Sequence, residues 1–510
     1  MAVSPSDIES GSASGNTTPV PGNKEFLHHD DAETQLVADA HAMKEKEATL
    51  MDEKALIRKV DLRLVPIMMV LYLVSFLDRV NIGNARLYGL EEDLGLKGSQ
   101  FQVCISVLFV SYCLCEVPSN LVLKKFRPGR YLSVLTFCFG VIATCTGLVH
   151  NFGSMVALRF LLGVFEAGLF PGLITYLTMF YTKKELALRV GYLFVSAATA
   201  GACGGLIAYG IGYMDGTAGM RAWRWIMILE GIPACVTGVV CFFILPNDPA
   251  SAKFLTPAER ALLVTMRERE VGQTTSGQKF HWADVKEGVK DWHIWIFSIA
   301  SFCEDIMLYG FSTFLPTIIR GVGKWSTLEV QALTVPVYAV GAITYLVVAK
   351  ISDMQQRRGV YASAFALVSI IGYALLISNT SAAVSYTGCY LVAAGLYVSV
   401  GLPLAWLPSN KPRYGKRTLA TGLQLMFGNM AGIASPFLFE TEYAPEFYIG
   451  HGVSMGMIAI SGSIFLGMTF YYKAVNRRRE AGAEDKIMEG LSEMEINELG
   501  DRSPRYRYTT

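Results

Sequence analysis

The sequence predicts an all-α membrane protein with twelve spanning helices arranged as two six-helix halves, and three observations carry that expectation. Of its 510 residues, 52% are hydrophobic and only 17% are charged. With a mean hydropathy of +0.36, the chain is too apolar for an ordinary soluble protein. Apolar stretches of about 20 residues, each long enough to cross a bilayer, begin near Leu64, Phe101, Tyr131, Met155, Leu186 and Trp225, then near Trp292, Val330, Val360, Tyr386, Leu419 and Val453. The longest internal polar stretch, residues 246–291, divides them six and six.

Taken in order, residues 1–60 are rich in Ser, Gly, Asp, Glu and Lys and lack the apolar core of a signal peptide. They are expected to form a disordered tail, with the first helix serving as its own insertion signal. Residues 61–246 form the first bundle. The linker, 247–291, carries a Thr256-Pro-Ala-Glu start signal and a Glu- and Arg-rich segment that predict a surface helix. Residues 292–474 form the second bundle and 475–510 a tail. Lys and Arg gather at one end of the helices: Lys54, Arg58, Lys59 and Arg63; Lys124, Lys125, Arg127 and Arg130; Lys183 and Lys184; Arg357 and Arg358; Lys411, Arg413, Lys416 and Arg417; Arg477, Arg478 and Arg479. The loops 150–154, 379–385 and 441–450 carry none, so both termini are expected in the cytoplasm. Asn379-Thr-Ser then falls on the outer face as a glycan acceptor.

Several function classes are disfavoured. The net charge of +1 hides no polybasic patch for nucleic acid. All ten cysteines lie in apolar runs without zinc-ligand spacing and read as small packing residues, so no metal is expected. No phosphate-cradling loop or Ser-His-Asp arrangement stands out, which argues against an enzyme, a nucleotide engine or a cofactor. The expected partners are a small molecule, protons and the lipid bilayer, handled by a monomer.

Charge inside a spanning helix costs roughly 2.5–3.5 kcal/mol at its centre and therefore marks a path or a site. Asp78 and Arg79 sit side by side near the end of the first apolar run. Arg79 offers a planar fork to a carboxylate, whereas Asp78 projects about 100° away round the helix and is a proton-site candidate. Asn81, in the same block, is a candidate binding residue able to hydrogen-bond Asp78. In the fourth helix Arg159, Gly163 and Glu166 share one face, so Arg159 and Glu166 line one wall. Glu166 is the second proton-site candidate, with an ion pair to Arg159 as the alternative. Gly163, Gly168, Pro171 and Gly172 are read as packing and kink residues.

The deep acids Asp78, Glu116, Glu166, Glu304 and Asp305 outnumber the deep bases Arg79 and Arg159. Some acids are therefore wet or protonated, which is the physical argument for proton coupling. Glu116 is expected to stabilise the end of the second helix, while Glu304 and Asp305 remain open between cavity and mouth. Tyr309, Phe311, Phe314 and Trp406 provide rings for a planar substrate or for the core, and Asn429 is a polar residue in an apolar helix suited to line a pore.

A weak repeat joins the halves: Asn120-Leu-Val-Leu-Lys-Lys-Phe-Arg-Pro-Gly-Arg follows the second helix, and Ile351-Ser-Asp-Met-Gln-Gln-Arg-Arg-Gly follows the eighth. This arrangement resembles the major facilitator superfamily, whose loops at these places carry a Gly-x-x-x-Asp-Arg-type signature. The second copy keeps Asp353, Arg357 and Arg358 as expected gating residues. In the first, Lys124 and Lys125 stand where the acid belongs.

Within that superfamily, four blocks are similar to the fungal anion:cation symporters: Asp78-Arg79-x-Asn81-Ile-Gly-Asn-Ala, Arg159-x-x-x-Gly-x-x-Glu-Ala-Gly-x-x-Pro-Gly, Trp223-Arg-Trp-Ile-x-Ile-Leu-Glu-Gly and Pro246-Asn-Asp-Pro-x-x-Ala-Lys-Phe-Leu-Thr. Members include permeases for allantoate, nicotinate, biotin and pantothenate. Gly205-Leu-Ile-Ala-Tyr-Gly and Gln331-Ala-Leu-Thr-Val-Pro-Val-Tyr look nearest to the nicotinate permeases. A more distant resemblance to organic-anion symporters implies proton linkage at Asp78 and Glu166 and a substrate carboxylate at Arg79. The resemblance implies proton-driven uptake of a small organic monocarboxylate across a fungal plasma membrane by alternating access. Export of a carboxylated metabolite, or nutrient sensing without turnover, remain as alternatives.

Overall fold

Ten helices are long and apolar enough to cross a membrane among the described residues, and two more complete a set of twelve. The computed structural model describes residues 25–125, 127–181, 183–272, 281–444 and 446–510, all helix, turn or loop with no strand among them. The first half comprises α1 (Glu25–Leu87), α2 (Gln100–Lys125), α3 (Pro128–Thr146), α4 (Phe152–Phe180), α5 (Lys183–Gly212) and α6 (Ala222–Ile244). The second comprises α7 (Trp292–Val322), α8 (Thr327–Gln355), α9 (Arg358–Ser378), α10 (Ala382–Ser409), α11 (Tyr414–Ala434) and α12 (Tyr448–Glu480). The two that fall short on apolar length are α2, which carries Glu116 and ends in lysines, and α11, which carries Lys416, Arg417, Gln424 and Asn429.

The chain divides into two compact units, Met1–Ile57 and Arg58–Thr510. Of the expected disordered tail, residues 1–24 lie outside the described residues, but the chain is helical from Glu25 onward. Residues 36–57 are dominated by Ala, Leu, Met, Glu and Lys, the strongest helix formers.

Within the second unit, glycines set the closest helix crossings. On α3 and α6, Gly140 lies against the Ala234–Cys235 backbone and Gly231 against Thr144. On α9 and α10, Gly372 and Gly388 face each other, and a methyl group on either would lie 2.8 Å from the other's carbonyl. Such small-residue contacts let backbones approach where lipid supplies no hydrophobic drive. α4 breaks after Glu166 and resumes at Leu169, because Pro171 cannot donate to Ala167. Gly163 and Gly168 pack directly on α2, at Ser111 and Ser119, so the kink and packing readings both hold.

The halves meet along α2 with α11 and α5 with α8, a symmetric pairing that fits the sequence echo. The linker lies at one end of the bundle, and at the far end the halves are joined. Ser106 donates to the Ile433 carbonyl at 2.8 Å, Gly83 abuts the Thr313 backbone, and Arg86 stacks over Phe101 and Phe314 at 4.7 and 5.6 Å. At the linker end the predicted start signal forms: Glu259 accepts from the Thr256 amide at 2.7 Å, opening helix Pro257–Gly272. The same carboxylate holds Lys59 of α1 at 2.7 Å.

The C-terminal tail is fastened rather than loose. Asp501 accepts Lys411 and Lys416 of the α10–α11 corner at 2.8 and 2.9 Å, and the same lysines reach Asp291 at 2.6 and 2.8 Å. Asn410 exchanges two hydrogen bonds with the Thr509 backbone, and Asn476 two with Tyr508. The Tyr508 ring stacks on Tyr472 with centroids 4.5 Å apart. Burial pushes the Asp501 carboxyl up, but Lys411 and Lys416 outweigh it and hold it below the usual range. A depressed carboxylate stabilises the docked state fully above its ordinary value near 4 and loses that contribution as pH falls through the folded-state value. Tail docking is therefore expected to persist down to about pH 4 and fail below it, whereas Asp501→Asn should free the tail at neutral pH. Trypsin cleavage at Arg502 and Arg505 reads the second effect, and unchanged protection in the variant would refute it.

Candidate functional site

Midway along the bundle, between the halves, lies a cavity of about 50 Å³, room for a few waters. Tyr72, Phe76 and Arg79 reach it from α1, spaced four and three residues apart on one helical face. Tyr112 of α2 and Phe170 of α4 complete the first half's share of its rings, and α7 supplies Asp305, Leu308 and Tyr309. Tyr397 of α10 and Asn429 of α11 close the opposite wall. Arg79 and Asp305 are the charged side chains in this lining.

Arg79 is engaged from both halves. Its Nε donates to Glu166 Oε1 at 2.8 Å, its Nη1 points to the Tyr309 hydroxyl at 3.4 Å, and its guanidinium lies 4.8 Å from the Tyr112 ring centroid. Ser75 donates to the same Glu166 oxygen at 2.6 Å, while the Tyr309 hydroxyl donates to Asn429 Oδ1 at 2.7 Å. A chain of hydrogen bonds thus runs from Ser75 through Glu166, Arg79 and Tyr309 to Asn429, joining the two halves across the cavity. The other carboxylate oxygen of Glu166 is buried and has no hydrogen-bond partner.

A second ion pair sits behind the first. Arg159, 1% exposed, donates to Asp78 Oδ2 at 3.2 Å. The alternative of an ion pair between Arg159 and Glu166 is not realised, since each finds its partner on α1 instead, and the expectation that the two line one cavity wall is corrected, since neither is in the lining. Asp78 and Asn81 are buried inside the first half and stand outside the cavity lining. A side chain at Gly204 of α5 would touch the side-chain oxygen Oδ1 of Asn81, which has no hydrogen-bond partner. Asn81 is therefore not brought to the cavity in this conformation.

Other expected residues scatter. Phe311 and Phe314 are core, and the Trp406 indole donates to the Thr509 carbonyl at the linker end, far from the cavity lining. The acid of the second signature copy, Asp353, meets Arg358 at 3.1 Å rather than Arg357, which is exposed at the start of α9. Arg358 also donates to the Ala405 carbonyl at 2.6 Å and so ties α8, α9 and α10 together. Asn379 is exposed at the end of α9 with φ 41°, a left-handed position that asparagine tolerates. Sequence reasoning missed Glu230 of α6, buried with neither carboxylate oxygen hydrogen-bonded and close enough to interact with Asp78. Its signal was one more acid in an apolar run. The Trp223-Arg-Trp block proves to be an anchor: Trp223 and Arg224 both donate to Asp93 at 2.9 Å.

The model of the Major Facilitator Superfamily matches residues 68–436. The chain belongs to the major facilitator superfamily. This facilitator is 39% identical to an uncharacterized transporter of Schizosaccharomyces pombe over 90% of its length and 91% of the relative's. It is 32% identical to the high-affinity nicotinic acid transporter of Saccharomyces cerevisiae over 89% of its length and 85% of the relative's. A solved D-xylose–proton symporter shares the fold with a TM-score of 0.61 at 14% identity, covering 79% of this chain and 97% of that one. The partially occluded, inward-open xylose transporter of E. coli gives 0.63 at 14%, covering 80% and 97%. The facilitator is a multi-pass membrane transporter and not an enzyme, and its sequence is nicotinate-permease-like.

Proposed function

We propose that this facilitator carries a small organic monocarboxylate such as nicotinate into the cell together with protons. The observation that supports this reading best is the Arg79–Glu166 pair at the cavity wall. A guanidinium stays charged when desolvated and binds carboxylates through its fork. It is held here by a carboxylate that an incoming carboxylate can replace only if Glu166 takes up a proton. Anion and proton then enter together, because an ionised Glu166 and a bound anion would leave two negative charges on one cation.

In this scheme the protonated Glu166 keeps its place through Ser75, which lies 2.6 Å away. The substrate carboxylate takes Arg79, with Tyr309 and Asn429 completing its shell from the second half. The surrounding rings of Tyr72, Tyr112 and Tyr397 suit a planar body. The small cavity and the joined far end belong to a closed phase of alternating access, and opening at the linker end would deliver the anion. Asp78, on Arg159, is the second proton candidate, coupled to the site through its neighbour on α1. Asp353 and Arg358 brace the gate. We place the protein in the plasma membrane as a monomer with both termini cytoplasmic and Asn379 outside, following the distribution of Lys and Arg.

The test is uptake of labelled nicotinate from acidic and from neutral medium in fungal cells lacking their own permease. Acid-stimulated accumulation supports symport. Absence of uptake with the protein at the surface refutes it and favours export. Glu166→Gln should lose the dependence on the proton gradient while exchanging labelled for unlabelled substrate, because a neutral amide mimics the protonated acid. Gradient-driven accumulation by Glu166→Gln vesicles would remove Glu166 from coupling.

A further inference from the structure

Once Glu166 is set against Arg79, the cavity still contains one charge-bearing group that makes no ion pair, although Arg79 lies near enough to act on it across the space. Asp305 lies on α7 one turn before Tyr309, so both project into the cavity from the same face. One carboxyl oxygen of Asp305 nests against Gly428 of α11, whose missing side chain makes the room. The other is shielded from solvent and has no hydrogen-bond partner. No arginine, lysine or histidine besides Arg79 lines the cavity, and Arg79 already has Glu166 and Tyr309. A polar atom left unpaired in a ring-lined space is costly unless a ligand satisfies it.

We propose that Asp305 is a second substrate anchor, and that the substrate is an amphoteric planar acid whose carboxylate takes Arg79 while a nitrogen shares a proton with Asp305. This rests on the reading of Arg79 as carboxylate anchor and narrows its substrate class. The proton lies on either partner: a protonated ring nitrogen donates to the carboxylate, or the carboxylic acid donates to a neutral nitrogen. Both forms satisfy the free oxygen, and both fail for an acid with no such nitrogen. The rings of Tyr72, Tyr112 and Tyr397 discriminate little between two flat acids of one size, so the choice falls to Asp305.

The experiment is competition against labelled nicotinate uptake by unlabelled nicotinate and by benzoate, which has the same shape without the nitrogen. With the unaltered protein, benzoate should need at least about tenfold higher concentration for the same inhibition, since it leaves a buried polar group unpaired. Asp305→Leu, close to isosteric and unable to hydrogen-bond, should bring the two acids to within about twofold of each other. Equal competition with the unaltered protein overturns the proposal, and it does so even if the variant fails to reach the membrane. A variant that still takes up label and keeps the tenfold preference also overturns it. Failure of any uptake by the unaltered protein is distinct, because it sinks the carboxylate reading on which this one stands.

Discussion

Arg79→Lys is expected to reduce carboxylate uptake to background while the protein still reaches the membrane. The guanidinium serves Glu166 through Nε and Tyr309 through Nη1 from a fixed plane, 2.8 and 3.4 Å away. A lysine ammonium is a point charge on a flexible stem that keeps the pair with Glu166 but loses the fork. Loss of a buried, hydrogen-bonded charge contact costs roughly 2–5 kcal/mol of binding, an effect of about thirtyfold or more. Arg79→Ala should fare worse, because Glu166 is then left with Ser75 alone. The measurement is initial uptake normalised to surface-labelled protein. Near-normal uptake by Arg79→Lys would remove Arg79 as the anchor.

Arg159→Met is expected to act on stability before transport. Arg159 is the cation hydrogen-bonded to Asp78, and Glu230, another buried acid, lies near enough to Asp78 to interact with it. Removing one partner of a buried pair destabilises by about 3–5 kcal/mol, because the other charge stays behind. Replacing both partners by apolar residues is often neutral. Arg159→Met should therefore lower the melting temperature and yield in detergent, and adding Asp78→Leu should recover most of the loss. Chromatographic melting of the tagged proteins measures both, and a single variant as stable as the parent would show that the pair is dispensable.

The membrane class and the two halves were legible because an apolar run of bilayer length is a strong local signal. The extent of α11 was harder to read, since a helix that carries Lys416, Gln424 and Asn429 loses apolarity to the work of lining a site. The ion pairs were not legible. Arg159 and Glu166 share a face, but seven residues put them about 10 Å apart along the axis, too far to touch. Asp78 and Arg79 diverge round α1, so each meets a different residue of α4, a choice made by helix packing that periodicity does not encode. Asp305 and Glu230 looked like other acids in apolar runs. Only the positions of Gly428 and Asp78 give them neighbours and hence meaning. The tail's docking joins Asp501 to lysines about 90 residues away in sequence and uses backbone groups of Thr509 and Tyr508, neither of which leaves a local side-chain pattern to read.

The tail's attachments are all one-sided. Its bonds go to Trp406, Asn410, Lys411, Arg413, Lys416, Asn476 and Arg479 and to Glu287 of a second linker helix, Trp282–Lys290, all in or beside the second half. A fluorophore placed at Thr510 would therefore ride that half as a rigid pointer rather than tumble on a tether. Paired with a second dye on an exposed position of the first half, such as Arg130, it turns the transport cycle into a distance readable in single molecules.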